Sequence, residues 1–331
     1  MKRTLLVLTL IAILFVVGCA NGNNTNTATN TNANAGNTAN DSKPVDETDT
    51  NSSNSAAVYP KKITHALGET TIPAMPKRVV DVGYATDYLK ALNAPLVGAT
   101  AIDWVGSGKV TTAPYLELGS EVTPLPMTDY RPNLEQVLSL KPDLIIASID
   151  QKDQYEKLTQ IAPTIIIDGS KEDWRTIFQN LAVVFGKEEK AAEILNGLKD
   201  KVEQGKAAVT IPDAVWVHTD LSAKELAIGG PLSYADVLYY ELGIKPSPIV
   251  PEGWAGMVST EAFVTENPEN ILLFSSKDPA KVLADWKKDP LLGKVAAIKN
   301  DKAVLLTGTH WMNAGPISMD RRLDDVIAAY K

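Results

Sequence analysis

Apolar residues in this chain fall into short blocks separated by stretches of helical spacing. Arg78-Val79-Val80-Asp81-Val82 is a short β-rich run, residues 86–92 are helical in pattern, and Pro95-Leu96-Val97-Gly98-Ala99 returns to strand character. Asn133-Leu134-Glu135-Gln136-Val137-Leu138-Ser139-Leu140 predicts a helix stopped by Pro142, with Leu144-Ile145-Ile146-Ala147 as the buried strand that follows. A helix over 154–160 and a strand over 163–167 complete this first series. Residues 187–208 then hold one long helical pattern rich in Ala, Glu, Lys and Leu, with Gly197 and Gly205 as its weak points. The cycle restarts with Ala214-Val215-Trp216-Val217 as strand, 234–242 as helix, a helix start at 261–264, and Ile271-Leu272-Leu273-Phe274 as strand. Strands alternating with helices predict a parallel-rich α/β sheet. Two α/β halves joined by one long helix follow from this order; a single doubly wound domain with an ordinary internal helix is the alternative.

The first residues follow a different rule. Lys2 and Arg3 precede an apolar run over 5–17, shorter than the roughly 20 residues a comfortable membrane span requires and suited to a signal-peptide core. It ends in Val16-Val17-Gly18-Cys19, small residues leading into the only cysteine. That is the form of a bacterial lipobox, cut before a cysteine already joined to diacylglycerol. An ordinary secretory signal with an incidental cysteine is the plain alternative. Residues 20–57 are nearly all Asn, Thr, Ala, Ser, Gly and Asp, a composition that cannot offset its ordering entropy. As a flexible coil such a segment reaches roughly 35 Å.

Charge narrows the partners. The chain carries −8, and loss of Lys2 and Arg3 leaves 30 basic against 40 acidic residues, or −10. No Lys/Arg cluster of the kind nucleic acid requires is visible. With Cys19 lipidated, no cysteine remains for a disulfide.

Two segments echo each other. Asn133-Leu134-Glu135 opens a helix leading through Lys141-Pro142-Asp143 into a strand, and Ser259-Thr260-Glu261 opens one leading through Asn267-Pro268-Glu269-Asn270 into another. A glutamate in a first helical turn complements the helix dipole by about 0.3–1 kcal/mol, which is explanation enough for one of them. Two in equivalent places suggest a matched pair of surface features.

In order and spacing, the chain resembles the substrate-binding lipoproteins of ABC importers for ferric siderophores, haem and cobalamin. The matching residues are Pro76-Lys77-Arg78-Val79-Val80, Asp87-Tyr88-Leu89-Lys90-Ala91-Leu92, the run of residues 133–146, Ile161-Ala162-Pro163-Thr164, and Asp236-Val237-Leu238 with Glu241-Leu242-Gly243. The similarity runs from Tyr59 to the C-terminus. It implies an α/β fold of two Rossmann-like lobes with parallel-rich central sheets joined by a single long helix. The parts would be a signal peptide (1–18), lipidated Cys19 with its tether (19–57), an N-terminal lobe (58–186), the inter-lobe helix (187–208) and a C-terminal lobe (209–331). It also implies that Glu135 and Glu261 dock into arginine pockets on the two permease subunits, where charge pairs steer encounter and fix register. The implied place is the outer face of the cytoplasmic membrane, in a Gram-positive type of cell. The implied state is a monomer without a resident cofactor, whose ligand is a ferric siderophore.

A ligand held between lobes needs apolar walls with a few placed polar groups. Tyr84, Trp104, Tyr130, Trp254 and Trp311 fall in predicted loops, where packing and ligand contact explain each singly about equally well. Trp174 and Trp286 have helical neighbours and read as packing residues. Arg131, two residues before the start of the Glu135 helix, is the cationic candidate of the first lobe; a solvated loop arginine is the plain alternative. Relatives that bind anionic catecholate or carboxylate siderophores carry arginine on the strand after the linker helix, where this chain has His218. That departure favours a neutral or weakly charged ferric hydroxamate. His310-Trp311 precedes Gly315-Pro316 and the final helix, a region that closes on ligand in relatives.

Other functions fare worse. A bare metal ion needs several His and carboxylates converging, and His65, His218 and His310 are widely spaced. Haem stays open, because one axial His or Tyr suffices, and cobalamin remains within the same importer class. Gly106-Ser107-Gly108-Lys109 fails as a phosphate loop, since Asp103 and Val110 stand where Gly and Ser or Thr are required. No nucleophile elbow or recognisable triad is present, so an enzyme is not predicted.

Overall fold

The computed structural model describes residues 58–103, 109–219, 225–275 and 278–331; Cys19, the rest of residues 1–57, and Trp104 lie outside the described residues. A hairpin of β1 (Lys61–His65) and β2 (Gly68–Ile72) opens the described chain. Six strands follow: β3 (Val79–Asp81), β4 (Leu96–Ala101), β5 (Thr123–Thr128), β6 (Arg131–Pro132), β7 (Leu144–Ser148) and β8 (Thr164–Ile167). They form one sheet in the order β6-β5-β4-β3-β7-β8, parallel except for β6 at the edge. Helices α1 (Thr86–Ala91), α2 (Leu134–Ser139), α3 (Tyr155–Thr159) and α4 (Trp174–Phe185) connect and cover it.

The long helix α5 (Glu188–Ala208) spans 21 residues, about 30 Å of rise. Glu188 and Glu189 in its first turn complement the dipole of a terminus that has no side-chain cap. Beyond it come β9 (Asp213–His218), β10 (Glu225–Gly229), β11 (Lys245–Pro246), β12 (Ala255–Ser259), β13 (Ile271–Phe274) and β14 (Ala303–Leu306). Their sheet runs β12-β10-β9-β13-β14, with β11 pairing β9. Helices α6 (Thr260–Glu266), α7 (Pro279–Lys288), α8 (Ala296–Lys299) and α9 (Pro316–Tyr330) complete the chain.

Successive residues of a strand face opposite sides, and here that alternation sorts the core. Val79, Leu144, Ile146, Ile165, Ala214, Trp216, Leu272 and Phe274 face one continuous core shared by both lobes. Tyr88 and Leu89 of α1, Phe178 and Leu181 of α4, Leu198 and Val202 of α5, and Met319, Leu323 and Val326 of α9 fill it. The alternate residues build a separate core on the far side of each sheet: Val80, Ile145, Ala147 and Ile166 in the first lobe, Val215, Val217, Ile271 and Leu273 in the second.

Helix α9 returns from the second lobe to the first. The Asp87 carboxylate, on α1, accepts from Ile317 N (2.9 Å), Ser318 N (2.8 Å) and the Tyr115 hydroxyl (2.6 Å), so a buried side chain of one lobe caps the last helix of the other. Gly315 makes the approach possible: its φ is +138°, and a Cβ there would meet Asp87 Oδ1 at 2.4 Å.

The architecture is the predicted α/β class with parallel-rich sheets, and the second lobe adds two features the sequence did not announce. Its sheet is mixed, because β10 runs antiparallel to both β9 and β12. Residues 234–242 do not form an α-helix; Val237–Glu241 is a π-helical turn closed by Leu242 N donating to Val237 O (3.1 Å). The wider turn sends Tyr239 inward, its hydroxyl donating to Ala214 O (3.0 Å), and leaves Tyr240 63 % exposed.

Candidate functional site

Turns after β3 and β5 carry Tyr84 and Tyr130, and Arg131 opens β6. Asp81, fully buried at the end of β3, accepts from Gly83 N (2.8 Å), Ala85 N (3.1 Å) and the Thr86 hydroxyl. This fixes the turn bearing Tyr84, whose φ is +62°. Burial, reinforced by nearby Tyr130, Asp150, Asp81 and Tyr234, pushes the Tyr84 phenol up to about 12, so it remains a neutral hydroxyl. Tyr130 occupies the β5–β6 turn with φ +60°, pinned by Gln151 Nε2 donating to its carbonyl (2.7 Å). Arg131 pairs with Asp153 at 3.0 Å on the surface, so its charge is already met.

In the second lobe, His218 is buried at the end of β9, 5.9 Å from the Trp216 ring and 5.0 Å from that of Phe274. Trp254 is 54 % exposed and stands edge-on to Tyr234, ring centres 5.2 Å apart at 76°. Its loop is held by Gly230 N donating to Trp254 O (2.8 Å). That closeness needs glycine, since a Cβ at 230 would sit 2.1 Å from Gly253 O.

Sequence reading placed His310 and Trp311 at the ligand, and both are buried. Trp311 Nε1 donates to Asp325 of α9 at 2.6 Å, and His310 Nε2 lies 2.8 Å from the same carboxylate. Trp311 has no exposed surface, so its ring packs in the shared core. The partner that holds it lies 14 residues downstream on an amphipathic helix, a relation no local pattern reveals.

A cavity of about 460 Å³ lies between loops of the two lobes. Its lining includes Trp174 and residues 169–173 from the first lobe, and Leu232, Tyr234, Tyr240 and Trp254 from the second. Arg322 of α9 closes the wall at 1 % exposure, donating through Nη1 to Tyr234 O and to Asp236, both at 2.7 Å. Of the predicted ligand residues among those described, Trp254 alone lines this cavity, and Tyr84, Tyr130, Arg131, His218, His310 and Trp311 lie outside its lining. Trp174, read from sequence as packing, is 7 % exposed and also forms part of the wall. Tyr234 and Tyr240 were not singled out; the adjacent pair Tyr239-Tyr240 was the available signal, because consecutive helical residues cannot both face one core.

Glu135 and Glu261 occupy equivalent places. Each lies exposed in the first turn of a helix that follows an antiparallel edge strand, β6 for α2 and β12 for α6. Asn133 caps the first by accepting from Glu135 N (2.9 Å), and Ser259 caps the second by accepting from Ala262 N (3.2 Å). The caps satisfy the helix ends and leave both glutamates free to face outward. Among the described residues no group of His, Cys, Asp and Glu converges as a metal site, and no helix is long and apolar enough to cross a membrane.

The family profile described as periplasmic binding protein matches residues 86–308. This chain belongs to that family. The ferric-anguibactin-binding protein FatB of Vibrio anguillarum is 27 % identical over 296 residues, covering 82 % of this chain and 88 % of FatB. The probable siderophore-binding lipoprotein YfiY of Bacillus subtilis is 27 % identical over 288 residues, covering 82 % and 87 %. Among solved structures, Staphylococcus aureus SirA complexed with staphyloferrin B superposes with a TM-score of 0.65 at 25 % identity, covering 81 % of this chain and 98 % of that one. As a periplasmic binding protein, the chain is of a class whose members bind and carry, and its two sheets with their long helix are the two-lobed form of that class.

Proposed function

We propose that this protein is a lipid-anchored, extracytoplasmic receptor of an ABC importer that captures a ferric siderophore, of hydroxamate type, between its lobes. The observation that carries this reading is the aromatic inter-lobe cavity of about 460 Å³ in a chain whose relatives are named for ferric chelates. Hydroxamate chemistry is favoured by the scarcity of unmatched cations: Arg131 is paired with Asp153, Arg322 with Asp236, and His218 stands on the strand where arginine serves anionic ligands. Tyr84, Tyr130 and Trp254 supply neutral donors and ring faces, which suit an uncharged chelate.

The anchor is Cys19, with residues 1–18 removed as signal and 19–57 serving as tether; the lipobox pattern and a relative named as a lipoprotein support it. The lobes would divide at 186 and 209 around the long helix. A tethered monomer on the outer face of the cytoplasmic membrane would present Glu135 and Glu261 together to the two permease subunits.

Quenching of intrinsic tryptophan fluorescence tests the ligand class directly. A ferric trihydroxamate should quench at micromolar concentration or below, and ferric catecholates, haem and cobalamin more weakly. Silence with every ferric siderophore would sink the reading; quenching by haem or cobalamin alone would transfer the protein to that branch of the importer class.

A further inference from the structure

Building on the ferric-siderophore reading, we propose that the inter-lobe cavity seats a protonated amine carried by the chelate outside the iron's own ligand shell. Three exposed side chains border it: Leu232 (57 %), Tyr240 (63 %) and Trp254 (54 %). Exposed aromatic faces this close together are costly to leave in water unless they meet a partner. Tyr234 and Trp254 stand nearly perpendicular, so their rings border one corner from two directions, the arrangement in which aromatic faces cage a cation. Tyr240, in the π-helical turn, stands exposed at the cavity while its neighbour Tyr239 points inward.

The lining charges favour a cation as well. Among the described residues two cations and three carboxylates line the cavity: exposed Lys171 lies 3.4 Å from Asp168, and Arg322 is sealed in the wall with Nη1 on Asp236 and with Nε and Nη2 buried without a partner. Asp173 shares Arg175 at 3.6 Å, while Glu172 has no cation within ion-pair distance among the described residues. Arg175 already stacks 4.4 Å from the centre of the Trp174 ring, so a ring in this same wall holds one cation on a π face. An anionic arm entering here would meet the Glu172 carboxylate, a Lys171 shared with Asp168, and an Arg322 whose remaining N–H groups are sealed inside the wall. An alkylammonium arm would meet ring faces and that carboxylate, and the volume is ample for one.

The test compares ferrioxamine B, a ferric trihydroxamate with a pendant ammonium, with N-acetylferrioxamine B, which keeps the same iron centre and loses the charge. The full chain should bind ferrioxamine B roughly tenfold more tightly, the scale of a desolvated cation–π contact. That ratio should fall below about threefold in Tyr240→Leu and in Glu172→Gln, each removing one of the contacts that distinguish the two ligands. Equal affinity for the two in the natural chain overturns the amine proposal and leaves the siderophore reading standing. A preference that survives both substitutions places the recognition elsewhere and also overturns it. Binding of neither ligand removes the hydroxamate reading and the amine proposal with it.

Discussion

In the first lobe Tyr84 and Tyr130 sit at left-handed backbone positions held by partners beneath them, whereas in the second lobe Tyr240 and Trp254 project from a π-turn and a glycine-braced loop. A tyrosine at φ near +60° stores roughly 1–3 kcal/mol, and it persists because Asp81 and Gln151 determine the turns around it. The first lobe therefore presents polar hydroxyls on a fixed surface. The second presents ring faces from segments braced by ordinary hydrogen bonds, among them Gly230 N to Trp254 O and Leu232 N to Gly253 O, without a left-handed tyrosine. The shared core keeps the two sides in register, since α1, α4, α5 and α9 contribute to one continuous packing unit.

The largest effect should come from cutting that register. Asp87→Ala removes the acceptor for two backbone N–H groups of α9 and for the Tyr115 hydroxyl, all buried, and should cost about 3 kcal/mol in denaturant unfolding. Burial pushes the Asp87 carboxyl up, hydrogen bonds from Tyr115, Ile317 and Ser318 opposing it. The folded chain thus holds this proton to higher pH than the unfolded chain. Stability from this group is greatest below the ordinary aspartate range and declines as pH rises through the raised value. The variant should lack that decline. A cost under about 1 kcal/mol would mean that the lobes are held together chiefly by apolar packing.

Next in size is the matched pair of glutamates. Glu135→Ala with Glu261→Ala should lower siderophore uptake in cells by about tenfold or more while leaving ferric chelate affinity within about twofold, because rim charges act on encounter and register. The single variants sharpen the comparison of lobes: equal losses mean the two docking faces are equivalent, and a loss confined to one means only that lobe is read. Loss of chelate binding in the double variant would refute the docking role.

The difference between lobes also explains what was legible in the sequence. Strands β7 and β8 and helix α5 emerged within a residue or two, because their apolar blocks and uninterrupted helical spacing are local signals. The hairpin β1–β2 and strand β12 did not, since Lys61–His65, Gly68–Ile72 and Ala255–Ser259 bury few residues and show little apolar alternation. Strand β10 was not predicted, and it pairs antiparallel with β9 and β12 beside the parallel pairs of β9, β13 and β14. Of the candidate site residues, Trp254 was identifiable as an aromatic beside Gly253, and it lines the cavity. Trp174 was not, because a helix N-terminal tryptophan gives the same pattern whether it faces a core or a cavity wall. Trp311 was misplaced because its partner, Asp325, is visible only once α9 folds back.

The smallest effect is the most direct check on the contrast between the left-handed tyrosine turn and the glycine-braced tryptophan loop. Tyr130→Gly removes a 65 % exposed side chain that adds little packing and relieves a backbone at φ +60°. The relief, about 1 kcal/mol, is offset by a similar gain in unfolded-chain entropy, so stability should stay within about 1 kcal/mol of the natural chain. Chelate affinity should nevertheless fall about fivefold, the loss expected for one oriented hydroxyl and ring face. Trp254→Gly has no such backbone relief and also forfeits the perpendicular contact with Tyr234, worth about 0.5–1.5 kcal/mol. The two variants should therefore separate, the first losing affinity at constant stability and the second losing both. If Tyr130→Gly unfolds the protein more readily than Trp254→Gly does, the side chain is holding its own turn, and the first lobe is no more fixed than the second.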